Sequence, residues 1–97
     1  MAETLRIGDR HIGFGLPTFF VAEEGQANQG NLGLALEMIR VAAGAGADAI
    51  EFQLAIADDF YVRSHPGHAI YKAREFKSDQ LRQLFATAKE AGIIVYA

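Results

Sequence analysis

Apolar positions along this chain alternate between short runs and helical stripes. Thr18-Phe19-Phe20-Val21-Ala22 is an aromatic and β-branched run bounded by Pro17 and by Glu23-Glu24-Gly25. It is too short for a helix and predicts a buried strand. The polar, glycine-rich segment from Gly25 to Asn31 reads as a loop. Next, Leu32, Ala35, Leu36, Ile39, Ala42 and Ala43 share one helical face, with Glu37 and Arg40 off it. Asn31 is the predicted N-cap, and Gly44 and Gly46 stop the helix. A second strand is predicted over Ala49 to Leu54, with Ile50, Phe52 and Leu54 on one side and Ala49, Glu51 and Gln53 on the other. Residues 55–77 read as a long connection, and such length points to function or to a lid. A second helix runs from Ser78, its predicted N-cap, to Ala91, burying Leu81, Leu84, Phe85 and Ala88 and stopping at Gly92. Ile93 to Tyr96 is a third strand. Ahead of all this, Leu5 to Pro17 carries short alternating pieces with glycine turns and predicts a small hairpin.

The order is β-α-β-α-β after a hairpin, an α/β pattern that implies a parallel sheet with right-handed crossovers. An open sheet would put helices on both faces, and a TIM (β/α)8 barrel would put them all outside. The second strand favours the barrel. Glu51 and Gln53 oppose the apolar side, and the inner C-terminal rim is where barrels keep their chemistry. A full barrel needs roughly 250 residues, and this chain has 97. It is therefore expected to be an incomplete barrel, one partial domain with the hairpin in residues 1–17 and three strands and two helices in 18–97. The third strand would then be an apolar edge, and such edges recruit partners. Self-association, or association with the rest of a barrel, is expected. An assembly-only fragment is the corresponding structural reading.

Composition narrows the function classes. Hydrophobic residues make up 51% and charged residues 22%, so the chain can fold. Nine basic and twelve acidic side chains give a net charge of −3, which offers no electrostatic footprint for nucleic acid. The absence of cysteine removes disulfides, cysteine–zinc sites and thiol nucleophiles. No apolar run reaches the ~18 residues of a membrane span, and the first ten residues lack a secretory signal pattern. A cytoplasmic protein with no nucleic-acid or membrane partner is expected.

Three clusters could carry chemistry. Glu23 and Glu51 fall near the ends of neighbouring predicted strands, where they could form a polar or metal site or simply stand solvated at a rim. The loop from Gly25 to Gly30 mimics a P-loop in spacing, but Asn31-Leu32 replaces the Lys-Ser/Thr that touches phosphate and metal, which excludes a nucleotide P-loop. His65 and His68 lie three apart near Asp58 and Asp59. Pro66 and Gly67 between them predict a turn, so these histidines read as surface loop residues and not as metal ligands.

The stretch Val21-Ala22-Glu23-Glu24-Gly25-Gln26-Ala27-Asn28-Gln29-Gly30-Asn31, followed by Ala45-Gly46-Ala47-Asp48-Ala49-Ile50-Glu51-Phe52-Gln53, resembles the N-acetylneuraminate (sialic acid) synthase family. Ile7-Gly8-Asp9-Arg10-His11-Ile12-Gly13 and Lys89-Glu90-Ala91-Gly92-Ile93 extend the resemblance to nearly the whole chain, against the front of the family's barrel. The resemblance implies a transferase of carbohydrate biosynthesis. It would condense phosphoenolpyruvate with an N-acyl hexosamine, or its phosphate, to a nonulosonic acid. It also implies a divalent metal, Mn or Mg, whose ligands lie on later strands and not in this chain. Glu23 and Gln53 match family residues that contact the amino sugar, and Asn28 and Glu51 are further pocket candidates. In the family's Lys-Phe-Gln motif the lysine binds phosphoenolpyruvate, and Glu51 stands at its position. A carboxylate there reverses the local sign. One unit-charge pair at ~4 Å and an effective dielectric of ~20 interacts by ~4 kcal/mol. The chain alone is expected to be inactive. A divergent relative that binds a sugar, or acts on it with metal assistance, is the alternative.

Overall fold

The computed structural model describes residues 3–97. The expected hairpin begins at residue 1, so its first two positions lie outside the described residues. Strands β1 (Thr4–Ile7) and β2 (Arg10–Gly13) pair antiparallel around the Gly8-Asp9 turn. Three further strands, β3 (Val21–Gly25), β4 (Ala49–Phe52) and β5 (Ile94–Tyr96), form a parallel sheet in the order β3-β4-β5. Between them lie α1 (Leu32–Gly44), α2 (Ala57–Phe60), α3 (Pro66–Ala73) and α4 (Ser78–Ala91).

One face of the sheet carries the core. Ile50 and Phe52 of β4 pack with Ala35, Ile39 and Ala42 of α1 and with Leu84 and Ala88 of α4. Both long helices therefore cover the same face, and they pack on each other. Right-handed crossovers between strands in sequential order require that arrangement. Among the described residues the strand order shows no reversal of the kind a doubly wound sheet has. Among the described residues the opposite face carries no helix. Its upper end is the row Glu23, Glu51 and Tyr96, which stand opposite one another in register across β3, β4 and β5.

The hairpin is fastened to the lower end of the sheet by Asp48. Its Oδ2 accepts from the Phe20 amide at 2.8 Å and its Oδ1 from Arg10 Nε at 3.3 Å, while its backbone oxygen accepts from the Ile94 amide. Arg10 Nη2 reaches the Gly92 carbonyl at 2.8 Å and Nη1 holds Asp9. These carboxylates, Asp9 first, hold the guanidinium more firmly protonated than usual, and the same pairing lowers Asp9. The hairpin extends the molecule to 55 × 27 × 20 Å. The radius of gyration of 15.9 Å exceeds the about 12–13 Å of a compact chain this long.

Several sequence expectations are corrected. The first strand starts at Val21, not Thr18, because the Phe20 amide and carbonyl are taken by Asp48 and Ala49 below the ladder. The second strand ends at Phe52, and Leu54 is exposed. Gly44 is the last residue of α1, with Ala45 as its C-cap. Ser78 is the first residue of α4 and Lys77 its N-cap, where the Lys77 amide donates to Gln80 Oε1 at 2.8 Å. Phe85 is 55% exposed, outside the buried stripe that keeps Leu84 and Ala88. Most of all, residues 55–77 are not one loop. They hold α2 and α3, and His65 is the N-cap of α3, its Nδ1 accepting from the Gly67 amide at 2.9 Å. His68 lies in the first turn of that helix, with Pro66 as its opening residue. Asn31 does cap α1 as the sequence implies, accepting from Leu34 N at 3.0 Å.

Candidate functional site

β3 and β4 deliver their last residues to one rim. Strand alternation puts Glu23 and Glu51 on the helix-free face. Beyond Glu23 the register shifts, so that Gly25 rather than Glu24 pairs with Phe52. Gly25 sits at φ +63°, where a side chain would strain the backbone, and this allows the chain to turn off the sheet beside Gln53. The outcome is a hydrogen bond from Gln53 Nε2 to Glu23 Oε1 at 3.2 Å. The two residues expected to hold a sugar thus touch each other. Glu51 accepts at Oε2 from the Tyr96 hydroxyl at 3.1 Å. The Tyr96 phenol is held protonated above its usual range by desolvation first, then by its bond to Glu51 and the negative charge of Glu51 and Glu23. Tyr96 is a site residue the sequence reading did not single out, although its in-register place beside Glu51 follows from the strand order.

Above this rim lies a cleft of about 570 Å³ lined by Glu51, Gln53 and Gln26 and walled by Phe60, Tyr61 and Tyr71. That volume is within the usual span of small-ligand sites, roughly 300–1,000 Å³. A neighbouring cavity of 210 Å³ between Gln53, Ile56, Arg74 and Leu81 falls below it. Gln26 stands between the two. Its Nε2 donates to the Gln53 carbonyl at 2.8 Å, which fixes the strand end. The aromatic wall comes from the α2–α3 excursion, where Tyr61 stacks on His65 (centroids 4.7 Å apart) and on Tyr71 (5.5 Å).

Asn28 is placed differently from the other candidates. It is 5% exposed, and its Nδ2 donates to both Glu24 oxygens, at 2.8 and 2.9 Å. Its backbone amide adds a third bond to Glu24, and its Oδ1 accepts from Gly30 N at 2.8 Å. Asn28 therefore shapes the loop between β3 and α1 with every side-chain group engaged. Burial raises the Glu24 carboxyl above its usual range, with the Asn28 bonds opposing the shift. The same loop carries Gly30 at φ +80°, against the backbone of Arg74, the C-cap of α3. His68 and Asp58, read from sequence as loop neighbours, form a contact of 2.6 Å between α3 and α2. Among the described residues no group of three or more His, Cys, Asp or Glu could hold a metal ion, and no helix is long and apolar enough to cross a membrane.

No protein-family model matches the chain. Individual proteins do. A crystal structure of N-acetylneuraminic acid (sialic acid) synthetase from Leptospira borgpetersenii serovar Hardjo-bovis, in complex with citrate, superposes with a TM-score of 0.87 at 31% identity, covering 100% of this chain and 34% of that one. Human N-acetylneuraminate-9-phosphate synthase is 35% identical across 91% of this chain and 28% of its own length. The chain is related to the sialic acid synthase family over the N-terminal part of its members. A spore coat polysaccharide biosynthesis protein of Bacillus subtilis is 40% identical across 69% of the chain. An uncharacterized protein of Methanocaldococcus jannaschii is 34% identical across 95% of it. This chain spans just over a quarter of the length of the human and archaeal relatives. Its mixed α/β arrangement with a three-stranded parallel sheet matches a fragment of the synthase fold.

Proposed function

We propose that this chain forms the first part of a (β/α)8 barrel. In the whole protein that barrel condenses phosphoenolpyruvate with an N-acyl hexosamine to a nonulosonic acid, and this part alone is inactive. The observation that carries the reading is the Glu23–Gln53 hydrogen bond on the helix-free face. The bond holds the Glu23 carboxylate against Gln53, which lines a cleft large enough for a hexosamine, and the Gln53 side-chain oxygen Oε1 remains to accept a hydroxyl or amide N–H. Pairs of acceptors and donors of this kind fix a polyol by its hydroxyls. Their part in the reaction is to orient the open-chain sugar so that its aldehyde carbon meets the methylene carbon of phosphoenolpyruvate. Among the described residues no cluster of side chains fits the family's divalent metal. Its ligands would come from outside this chain.

Glu51 favours a second reading, a divergent relative that binds a sugar without phosphoenolpyruvate. The trianionic enol phosphate would meet two carboxylates, Glu23 and Glu51, in adjacent register, where anion sites need cations or donors. Two measurements separate the readings. The first is condensation by the full-length parent protein, supplied with metal, phosphoenolpyruvate and several N-acyl hexosamines. Product supports the synthase, and no product with any sugar refutes it. The second is phosphoenolpyruvate binding by the parent and by its Glu51→Lys variant. Affinity gained only in the variant supports the divergent reading, and tight binding by the unaltered protein refutes it.

A further inference from the structure

The α2–α3 excursion supplies the aromatic wall of the cleft through Phe60, Tyr61 and Tyr71. α2 has only four residues, too few to be stable by itself. It is held against α3 by two contacts. One is the Tyr61 ring, stacked on His65 and Tyr71 and lying so close over Gly67 that an added Cβ there would be 2.9 Å from Cζ. The other is His68 Nε2 to Asp58 Oδ1 at 2.6 Å, with the histidine side chain 14% exposed. An imidazole ordinarily changes charge between pH 5 and 8, and a charge-assisted hydrogen bond is roughly twice as strong as a neutral one.

We propose that the Asp58–His68 contact is a pH-sensitive clasp on the cleft wall. A protonated His68 clamps α2 onto α3, and a neutral His68 loosens Phe60 and Tyr61 from the cleft wall they share with Tyr71. Lys72 of α3 and Arg63 of the intervening turn act on Asp58 with the same sign as protonated His68, and they keep their charge across this range. Lys72 is itself held by Glu75 at 3.1 Å. His65 is engaged through Nδ1 as the cap of α3, and Asp59 is on the same short helix as Asp58. The bond from His68 lowers the Asp58 carboxyl below its usual range, which favours its ionised form.

The test is amide hydrogen exchange of the whole chain at pH 6 and pH 8, corrected for intrinsic rates, with core amides of Ile39 and Leu84 as internal references. In the unaltered chain, protection of residues 57–61 is expected to fall about threefold relative to the core on going from pH 6 to pH 8, the scale of a partly exposed ion pair. Asp58→Asn should show low protection at both values. His68→Gln keeps a side-chain N–H donor without titrating, and should give protection that is the same at both. A pH-independent wild type, a pH dependence that survives Asp58→Asn, or loosening of the core amides in parallel would each overturn the clasp.

Discussion

Replacing Gly30 by alanine tests how the loop after β3 positions the cleft wall. Gly30 has φ +80°, and a Cβ built on it falls 2.6 Å from Arg74 Cα and 3.2 Å from its carbonyl oxygen. Both obstacles are backbone, so no side-chain rotation relieves them. The left-handed conformation costs an L-residue about 1–2 kcal/mol. Forcing the Arg74 backbone aside adds about 1–3 kcal/mol, the range found for overpacked sites. Reduced freedom of the unfolded chain returns less than about 1 kcal/mol. The net loss spans about 1–5 kcal/mol and centres on about 3 kcal/mol, which is roughly 12–24 °C in Tm for a chain this size. Gly44→Ala is the control. That glycine ends α1 with nothing within 4 Å of an added Cβ, and the substitution should be neutral or slightly stabilising. The assay is thermal unfolding by circular dichroism, alongside hydrogen exchange over α3. A Gly30→Ala protein that melts with the wild type, with unchanged exchange in α3, would refute the claim that this close approach sets the place of the excursion.

Two further outcomes follow from the fold. Asp48→Ala removes the acceptor shared by Arg10 and the Phe20 amide. It should cost about 1 kcal/mol in denaturant unfolding and raise exchange in β1 and β2 more than in β4. Equal loosening of hairpin and sheet would contradict the proposed fastening. Burial raises the folded-state value of Glu24 above the unfolded one. Its contribution is therefore fully present at low pH and declines as pH rises through the folded value. The stability of the wild type minus that of Glu24→Gln, measured by urea titration, should fall from about pH 4.5 upward. A difference that is flat or rising with pH contradicts that sign.

Much of this architecture was legible in the chain because its main elements obey local rules. Asn31 had both the chemistry and the position of a cap, and the stripe through Ala35, Ile39 and Ala42 allowed only one buried face. The parity of Ile50 and Phe52 against Glu51 and Gln53 separated the two faces of β4. The excursion was hidden for an equally local reason. Residues 55–77 are rich in Asp, His, Pro and Gly, and a four-residue helix shows no period. α3 begins at the very Pro66 that suggested a turn. It is stabilised by contacts within the excursion, Tyr61 with Gly67 and Asp58 with His68, that no spacing rule displays. Glu23 and Gln53 were paired in expectation only through their family resemblance, and strand parity then explains how they meet. Asn28 was read as a pocket candidate, and it lines the smaller cavity. Its full set of bonds to Glu24 and Gly30 depends on a loop conformation that the residue order alone does not reveal.

Asp48 also bears on how quickly the chain can fold. Parallel strands cannot zip up from a tight turn, so β3, β4 and β5 must meet across long separations. Asp48 is bonded to Phe20, 28 positions earlier, through its side chain, and to Ile94, 46 positions later, through its backbone. Closing a loop costs entropy that rises only with the logarithm of its length. Once one of these two closures is made, the other starts from an Asp48 already held at the end of β4. A single carboxylate-bearing residue is thus the junction at which both crossovers are closed, and Asp48→Ala should slow refolding more than it speeds unfolding.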